Sequence, residues 1–264
     1  MEIRKLPIAV FDSGLGGISV LRELCALLPN ENFIYYGDCA NAPYGVKSAN
    51  EVRLLTFEAY KKLKREGIKA FVIACNTATS VAVAKLRERY PEDIIVGVEP
   101  ALKPAVLSAE NPTVAVLATP LTLKEEKFAA LLGRFSDRAR VIPFACPGLV
   151  EFVERGETDG AKLDAFLSEL LAPLRAERLD AVVLGCTHYP LVKDAIVKAL
   201  GTSVRVFDGG EGTARETARR LDAAGLLLNC EREGCVTFLD SLYPDIRDPE
   251  GSRLKRFGGE YLCR

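Results

Sequence analysis

Residues 70–79 read AFVIACNTAT. A short apolar run leading into a Cys and then amide and hydroxyl side chains is the pattern of a strand buried on both faces that gives way to a helix. The stretch 181–188, AVVLGCTH, repeats it. A second pair of stretches lies upstream of these two: residues 8–13, IAVFDS, correspond to 114–119, VAVLAT. One such match is what any two buried strands would give. The Cys-bearing match says more, because both copies place a thiol directly after the strand, where open α/β sheets keep their ligand sites.

Outward from these stretches, apolar runs recur at Pro7–Phe11, Phe33–Tyr36, Ala70–Ala74, Ile94–Val98, Thr113–Leu117, Arg140–Ile142, Ala181–Leu184 and Val204–Phe207. Amphipathic stretches separate them. In residues 50–66, for example, Val52, Leu55, Ala59 and Leu63 share one helical face. Strand and helix alternating this often predict an α/β protein with right-handed crossovers. The repetition predicts two similar domains, each a mostly parallel sheet flanked by helices, with the active site in the cleft between them.

The 264 residues suffice for two modest domains. With 35 basic and 36 acidic side chains, the net charge of -1 offers no field to draw in nucleic acid or an anionic membrane. Small molecules are the expected partners. No 18-residue apolar stretch occurs, and Asp12 interrupts the first apolar run before it reaches signal-peptide length, so a cytoplasmic protein is expected. The eight cysteines form no C-x-x-C pair, and there is a single His, which argues against both a disulfide framework and a metal site.

Four segments could carry chemistry. Asp12-Ser13-Gly14-Leu15-Gly16-Gly17 lacks the third glycine of the dinucleotide fingerprint, and its carboxylate would repel a pyrophosphate. The glycines suit a sharp turn, with Asp12 and Ser13 either capping a helix or binding an ammonium and a carboxylate. Cys75, followed by Asn76 and Thr77, is either core packing or a thiol whose pKa falls at a helix start. Cys186, followed by Thr187 and His188, repeats this with Pro190 in an early helical position, and the imidazole is either structural or a proton shuttle. The Pro and Gly loop around Asn41, Tyr44 and Gly45 is an ordinary turn or a source of backbone amides at the same sheet edge. Two thiols at equivalent positions of duplicated halves could flank a substrate, an acid/base geometry suited to inversion.

On the segments FDSGLGG (11–17), APYG (42–45), ACNTAT (74–79), VEPALKPA (98–105), CPGLVEFVE (146–154), GCTHYP (185–190) and FDGG (207–210), the chain resembles the glutamate racemases, a family of cofactor-independent amino-acid racemases. The resemblance implies interconversion of L- and D-glutamate, with D-glutamate supplied for peptidoglycan, and no cofactor. It implies Cys75 and Cys186 as the two acid/base groups, with Asp12 assisting Cys75, and Glu154 and His188 assisting Cys186. Substrate contacts are expected from Asp12, Ser13, Tyr44, Gly45, Asn76, Thr77, Thr187 and His188. A homodimer is implied, and so is an insertion: one domain from residues 1–98 plus 208–264, the other from 99–207. Asn41 stands where relatives often have Arg, and the tail beyond 240 follows the family loosely. A racemase of aspartate or a hydantoin, or a noncatalytic ligand-binding protein on the same fold, are the alternatives.

Overall fold

The computed structural model describes residues 2–201, 204–230, 232–247, 250 and 252–262. Its strands are β1 (Ile8–Asp12), β2 (Phe33–Gly37), β3 (Ala70–Ile73), β4 (Ile94–Gly97), β5 (Thr113–Ala118), β6 (Arg140–Ala145), β7 (Ala181–Leu184), β8 (Arg205–Asp208) and β9 (Val236–Asp240). Its helices are α1 (Ile18–Leu27), α2 (Ala49–Arg65), α3 (Asn76–Arg89), α4 (Leu102–Val106), α5 (Pro120–Lys124), α6 (Glu126–Gly133), α7 (Leu149–Glu154), α8 (Ala161–Leu170), α9 (Ala172–Arg175), α10 (Lys193–Leu200), α11 (Gly210–Ala223) and α12 (Arg253–Leu262).

All strand pairings are parallel, in two sheets ordered β4-β3-β1-β2-β9 and β6-β5-β7-β8. Read in reverse, the second order becomes β8-β7-β5-β6, which matches the first four strands of the first sheet one for one. The repeated stretches thus occupy equivalent strands, β1 with β5 and β3 with β7.

Alternate residues of each strand face opposite sides, and both sides are covered. Ala9, Phe11, Phe71 and Ile73 pack with Val52, Leu63 and Leu86 of α2 and α3. Val10, Tyr35 and Val72 pack with Leu21, Leu221 and Leu254 of α1, α11 and α12. In the second sheet Leu117 and Val182 pack under α7, α8 and α10, and Val116 and Val183 against Leu102 and Phe128. Burial on both faces is why these strands read as continuous apolar runs.

Two details depart from the sequence reading. Strand β9 was not foreseen: it joins the edge of the first sheet beside β2 with its first two residues only half-buried, so its apolar signal is weak. Strand β6 continues past Ile142 through Pro143 to Ala145. It lies at a sheet edge, where a residue without an N–H is tolerated.

Candidate active site

In the first sheet the chain leaves β1 for β2 on one side and later returns to fill β3 on the other. Such a reversal opens a crevice above the carboxyl ends of the two central strands. Asp12 and Ser13 end one of them and Cys75 follows the other. The second sheet has the same reversal between β5 and β7, where Thr119 and Cys186 stand. The backbone repeats the relation closely: Ala74 N donates to Phe11 O at 2.7 Å, and Gly185 N donates to Leu117 O at 2.7 Å.

Cys75 is the N-cap of α3. Its Sγ accepts from Ala78 N at 3.4 Å and lies 3.7 Å from Ser13 Oγ. The sequence reading expected the helix start to lower this thiol's pKa. Burial and the neighbouring Asp12 carboxylate outweigh the Ala78 amide, and Cys75 is pushed up to about 12. Charge on Cys186 adds to the rise, so the two sulfurs sense one another. Asp12 is fully buried; its Oδ1 accepts from Gly14 N at 2.9 Å and its Oδ2 from the Thr187 hydroxyl at 3.0 Å. Burial raises its carboxyl above the usual range even though His188 pulls the other way.

The Cys186 side differs from the helix start expected there. Tyr189 N bonds back to Cys186 O at 3.1 Å, the chain continues as a 3-10 turn over Tyr189–Val192, and α10 begins only at Lys193. This turn brings His188 back over the thiol, with Nδ1 3.7 Å from Cys186 Sγ. His188 Nε2 meets Glu154 Oε1 at 2.6 Å. Burial disfavours the imidazolium, but the bonds to Cys186 and Glu154 prevail and hold His188 well above its ordinary value. For Glu154, burial is likewise outweighed, by His188, by Leu15 N donating at 2.8 Å and by Arg253, and the carboxyl lies below its ordinary range.

The glycine segment turns as expected between β1 and α1, with Ile18 N bonded back to Leu15 O and Ser19 N to Gly16 O, but the glycines have a further purpose. None of Gly14, Gly16 and Gly17 takes a positive φ. Instead, a Cβ on Gly14 would lie 1.9 Å from Glu154 Oε1, and one on Gly16 would lie 2.3 Å from His188 Nδ1. Hydrogen in place of a side chain lets the Cys186 side of the site press onto the first domain's loop.

Tyr44 is buried and donates its hydroxyl to Asp38 Oδ2 at 2.6 Å, while Asn41 Nδ2 donates to the same carboxylate. Gly45 rests on Thr119, 2.8 Å from where its Cβ would be. Thr77 Oγ1 lies 3.0 Å from Thr119 Oγ1 and 3.2 Å from Thr122 Oγ1, with 2.9 Å between the latter two. Thr119 and Thr122 were missed from sequence. The signal was present, since Thr119 occupies the place of Ser13 in the repeated stretch. Asn76 begins α3 and is buried beside Thr77. The structure therefore brings together residues from both sheets: Asp12, Ser13, Cys75, Asn76 and Thr77 from one, Glu154, Cys186, Thr187 and His188 from the other, with Tyr44 and Gly45 joined through Asp38 and Thr119. The two thiols are 5% and 6% exposed. Two thiols in a site nearly closed to water, ringed by hydroxyls and a carboxylate, form an arrangement capable of proton transfer at a weakly acidic carbon.

Among the described residues, no three His, Cys, Asp or Glu side chains form a group that could hold a metal, and no helix is long and apolar enough to cross a membrane.

The Asp/Glu/hydantoin racemase profile matches residues 17–217. Glutamate racemase from Clostridium perfringens is 47% identical over 241 residues, 91% of this chain and 93% of the relative. That from Clostridium novyi is 46% identical over 242 residues, 92% and 93% of the two chains. The crystal structure of glutamate racemase from Francisella tularensis in complex with D-glutamate superposes with a TM-score of 0.82 at 29% identity, covering 99% of this chain and 95% of that one.

Proposed function

Because the chain belongs to the Asp/Glu/hydantoin racemase family, we propose that it interconverts L- and D-glutamate by a two-thiol mechanism at the α-carbon. The observation that carries this reading is the pair of buried cysteines at equivalent crevices of two like-ordered sheets, Cys75 and Cys186.

One sulfur, as thiolate, removes the α-proton, and the electron pair of the broken C–H bond is delocalised into the α-carboxylate. The other, as thiol, delivers its proton to the opposite face of the carbon. The products are the mirror-image amino acid and a site with its two protonation states exchanged, ready for the reverse reaction. Cys75, pushed up to about 12, rests as the thiol at neutral pH. On the other side the Glu154-paired His188 stands where it can pass a proton to or from Cys186.

Asp12 is a buried carboxylate whose ionised form is disfavoured, and a substrate ammonium would relieve that cost. The Thr77, Thr119 and Thr122 hydroxyls, with the open amides at the start of α3, supply donors for a carboxylate on which charge builds in the transition state. Tyr44 and Gly45 adjoin them and would bound the side-chain carboxylate. The same reading divides the chain into a domain of residues 1–98 plus 208–264 and an inserted one of 99–207. It also makes the protein a cytoplasmic homodimer that supplies D-glutamate for peptidoglycan.

Incubation with L-glutamate in deuterated water tests the proposal. Optical rotation should decay to zero as deuterium enters the α-position, without added cofactor. Retained rotation with no deuterium uptake, or faster turnover of aspartate than of glutamate, would overturn it.

A further inference from the structure

Glu154 has two oxygens with separate partners. Oε1 accepts from Leu15 N and His188 Nε2 at 2.8 and 2.6 Å. Oε2 faces Arg253 Nη2 at 3.5 Å. Arg253 is the first residue of α12, and the helix start is firmly seated. Ser252 is fully buried and accepts from Lys255 N at 3.1 Å, and Leu254 is fully buried against Gly37, at the end of β2. One turn further on, Gly258 lies against Phe238 of β9, and Arg22 of α1 stacks over the Tyr261 ring at 4.8 Å. The guanidinium is thus delivered from the first sheet to a carboxylate carried by α7 on the second.

We propose that Arg253 is a positioning residue for the reaction: held by the docked start of α12, it fixes the outer oxygen of Glu154 so that the inner one stays on His188 and the Leu15 amide. A carboxylate without this contact can rotate toward water, since Glu154 retains 12% of its side-chain exposure. Rotation would lengthen the bond that orients the imidazole over Cys186. The other titratable groups near Glu154 are His188, already on its inner oxygen, and Asp12, Asp240, Cys39 and Tyr35, none of which supplies a second cation.

The experiment compares Arg253→Met, Arg253→Lys and, as a control on the same helix, Arg256→Met. The rate effect rests on the racemase reading. In Arg253→Met, kcat for L-glutamate should fall about fivefold with KM changed less than twofold, the size expected of a partly exposed ion pair. Arg253→Lys should recover at least half of that loss, and Arg256→Met should match the unaltered protein. A second readout needs no turnover. The chain has one His, so a single imidazole is seen by nitrogen NMR, and its titration midpoint reports the Glu154 contact. Arg253→Met should lower that midpoint, because the stabilising partner is loosened. An unchanged midpoint, or a rise of the kind that loss of a merely repelling charge would give, overturns the proposal. So does equal loss in the Met and Lys variants. Were the unaltered protein inactive on glutamate, the function reading would fail and the titration would still decide this one.

Discussion

Thr187 donates its hydroxyl to Asp12 Oδ2 at 3.0 Å, although 175 positions separate them. The residue next to one thiol is bonded to the carboxylate beside the other. Closure of the two sheets onto each other and assembly of the site are therefore the same event.

Each cysteine should be needed. A hydroxyl is a far weaker acid than a thiol, so Cys75→Ser and Cys186→Ser should each lower racemisation by orders of magnitude, measured as initial rates with either enantiomer. Near-native turnover in both directions for one variant would dismiss the two-thiol mechanism. The helpers should separate by direction: His188→Asn is expected to slow mainly kcat for L-glutamate, and Asp12→Asn mainly kcat for D-glutamate. Because the equilibrium in water is symmetric, kcat/KM must fall equally in both directions.

Asp12→Asn should also stabilise the fold. The folded pKa of Asp12 is raised by burial, so the fold favours the protonated form. The associated stability is present below the unfolded value and lost as pH rises through the folded one. At neutral pH the buried charge is a cost. Asn keeps an oxygen for Gly14 N and a donor for Thr187, so the melting midpoint at pH 7 should rise by about 2 °C or more. The gain should shrink as pH falls toward 4. A lower midpoint at pH 7 would contradict the sign.

Thr119→Val tests the hydroxyl cluster. It removes the group between Thr77 and Thr122 and the cap that accepts from Thr122 N at 3.3 Å. We expect about 1 kcal/mol of lost stability from the cap and a rise in KM for glutamate of about tenfold. Thr122→Val, which leaves the cap intact, should raise KM without the stability loss. Unchanged KM in both variants would exclude these hydroxyls from substrate binding.

Gly16→Ala probes the contact between the halves. The new methyl would meet the His188 ring at 2.3 Å, and that ring is buried and held between Glu154 and Cys186. Activity should fall at least about a hundredfold, the order that displacing a positioned group costs, while circular dichroism shows an intact fold. Native activity would mean that the loop and His188 separate during turnover.

Much of this was readable in the chain, for physical reasons that differ by element. Strands buried on two faces, such as β3 and β7, carry an unbroken apolar run and announce themselves. β9 does not, because an edge strand needs only part of its surface covered. The Cys positions were legible because a strand end fixes them locally. The reach of Glu154 to Leu15 spans 139 positions, and nothing in either neighbourhood encodes it; only the family resemblance brought Glu154 forward. The turn at the glycines was legible but their contacts with Glu154 and His188 were not, since a sequence shows that a side chain is missing without showing what fills the space.

The repeated strand order has a consequence for stereochemistry. Two copies of a fold built from L-amino acids can be superposed by rotation and translation, never by reflection. The two enantiomers that a racemase must hold are related by reflection alone. Duplication can therefore supply a second thiol, yet it cannot by itself supply a mirrored pocket. The handedness has to be broken where the copies differ: Asp12 against Ala118, Thr77 against His188, an α-helix after one cysteine and a 3-10 turn after the other. On the proposed function, these departures from repetition are where one site would come to receive both hands of the same molecule.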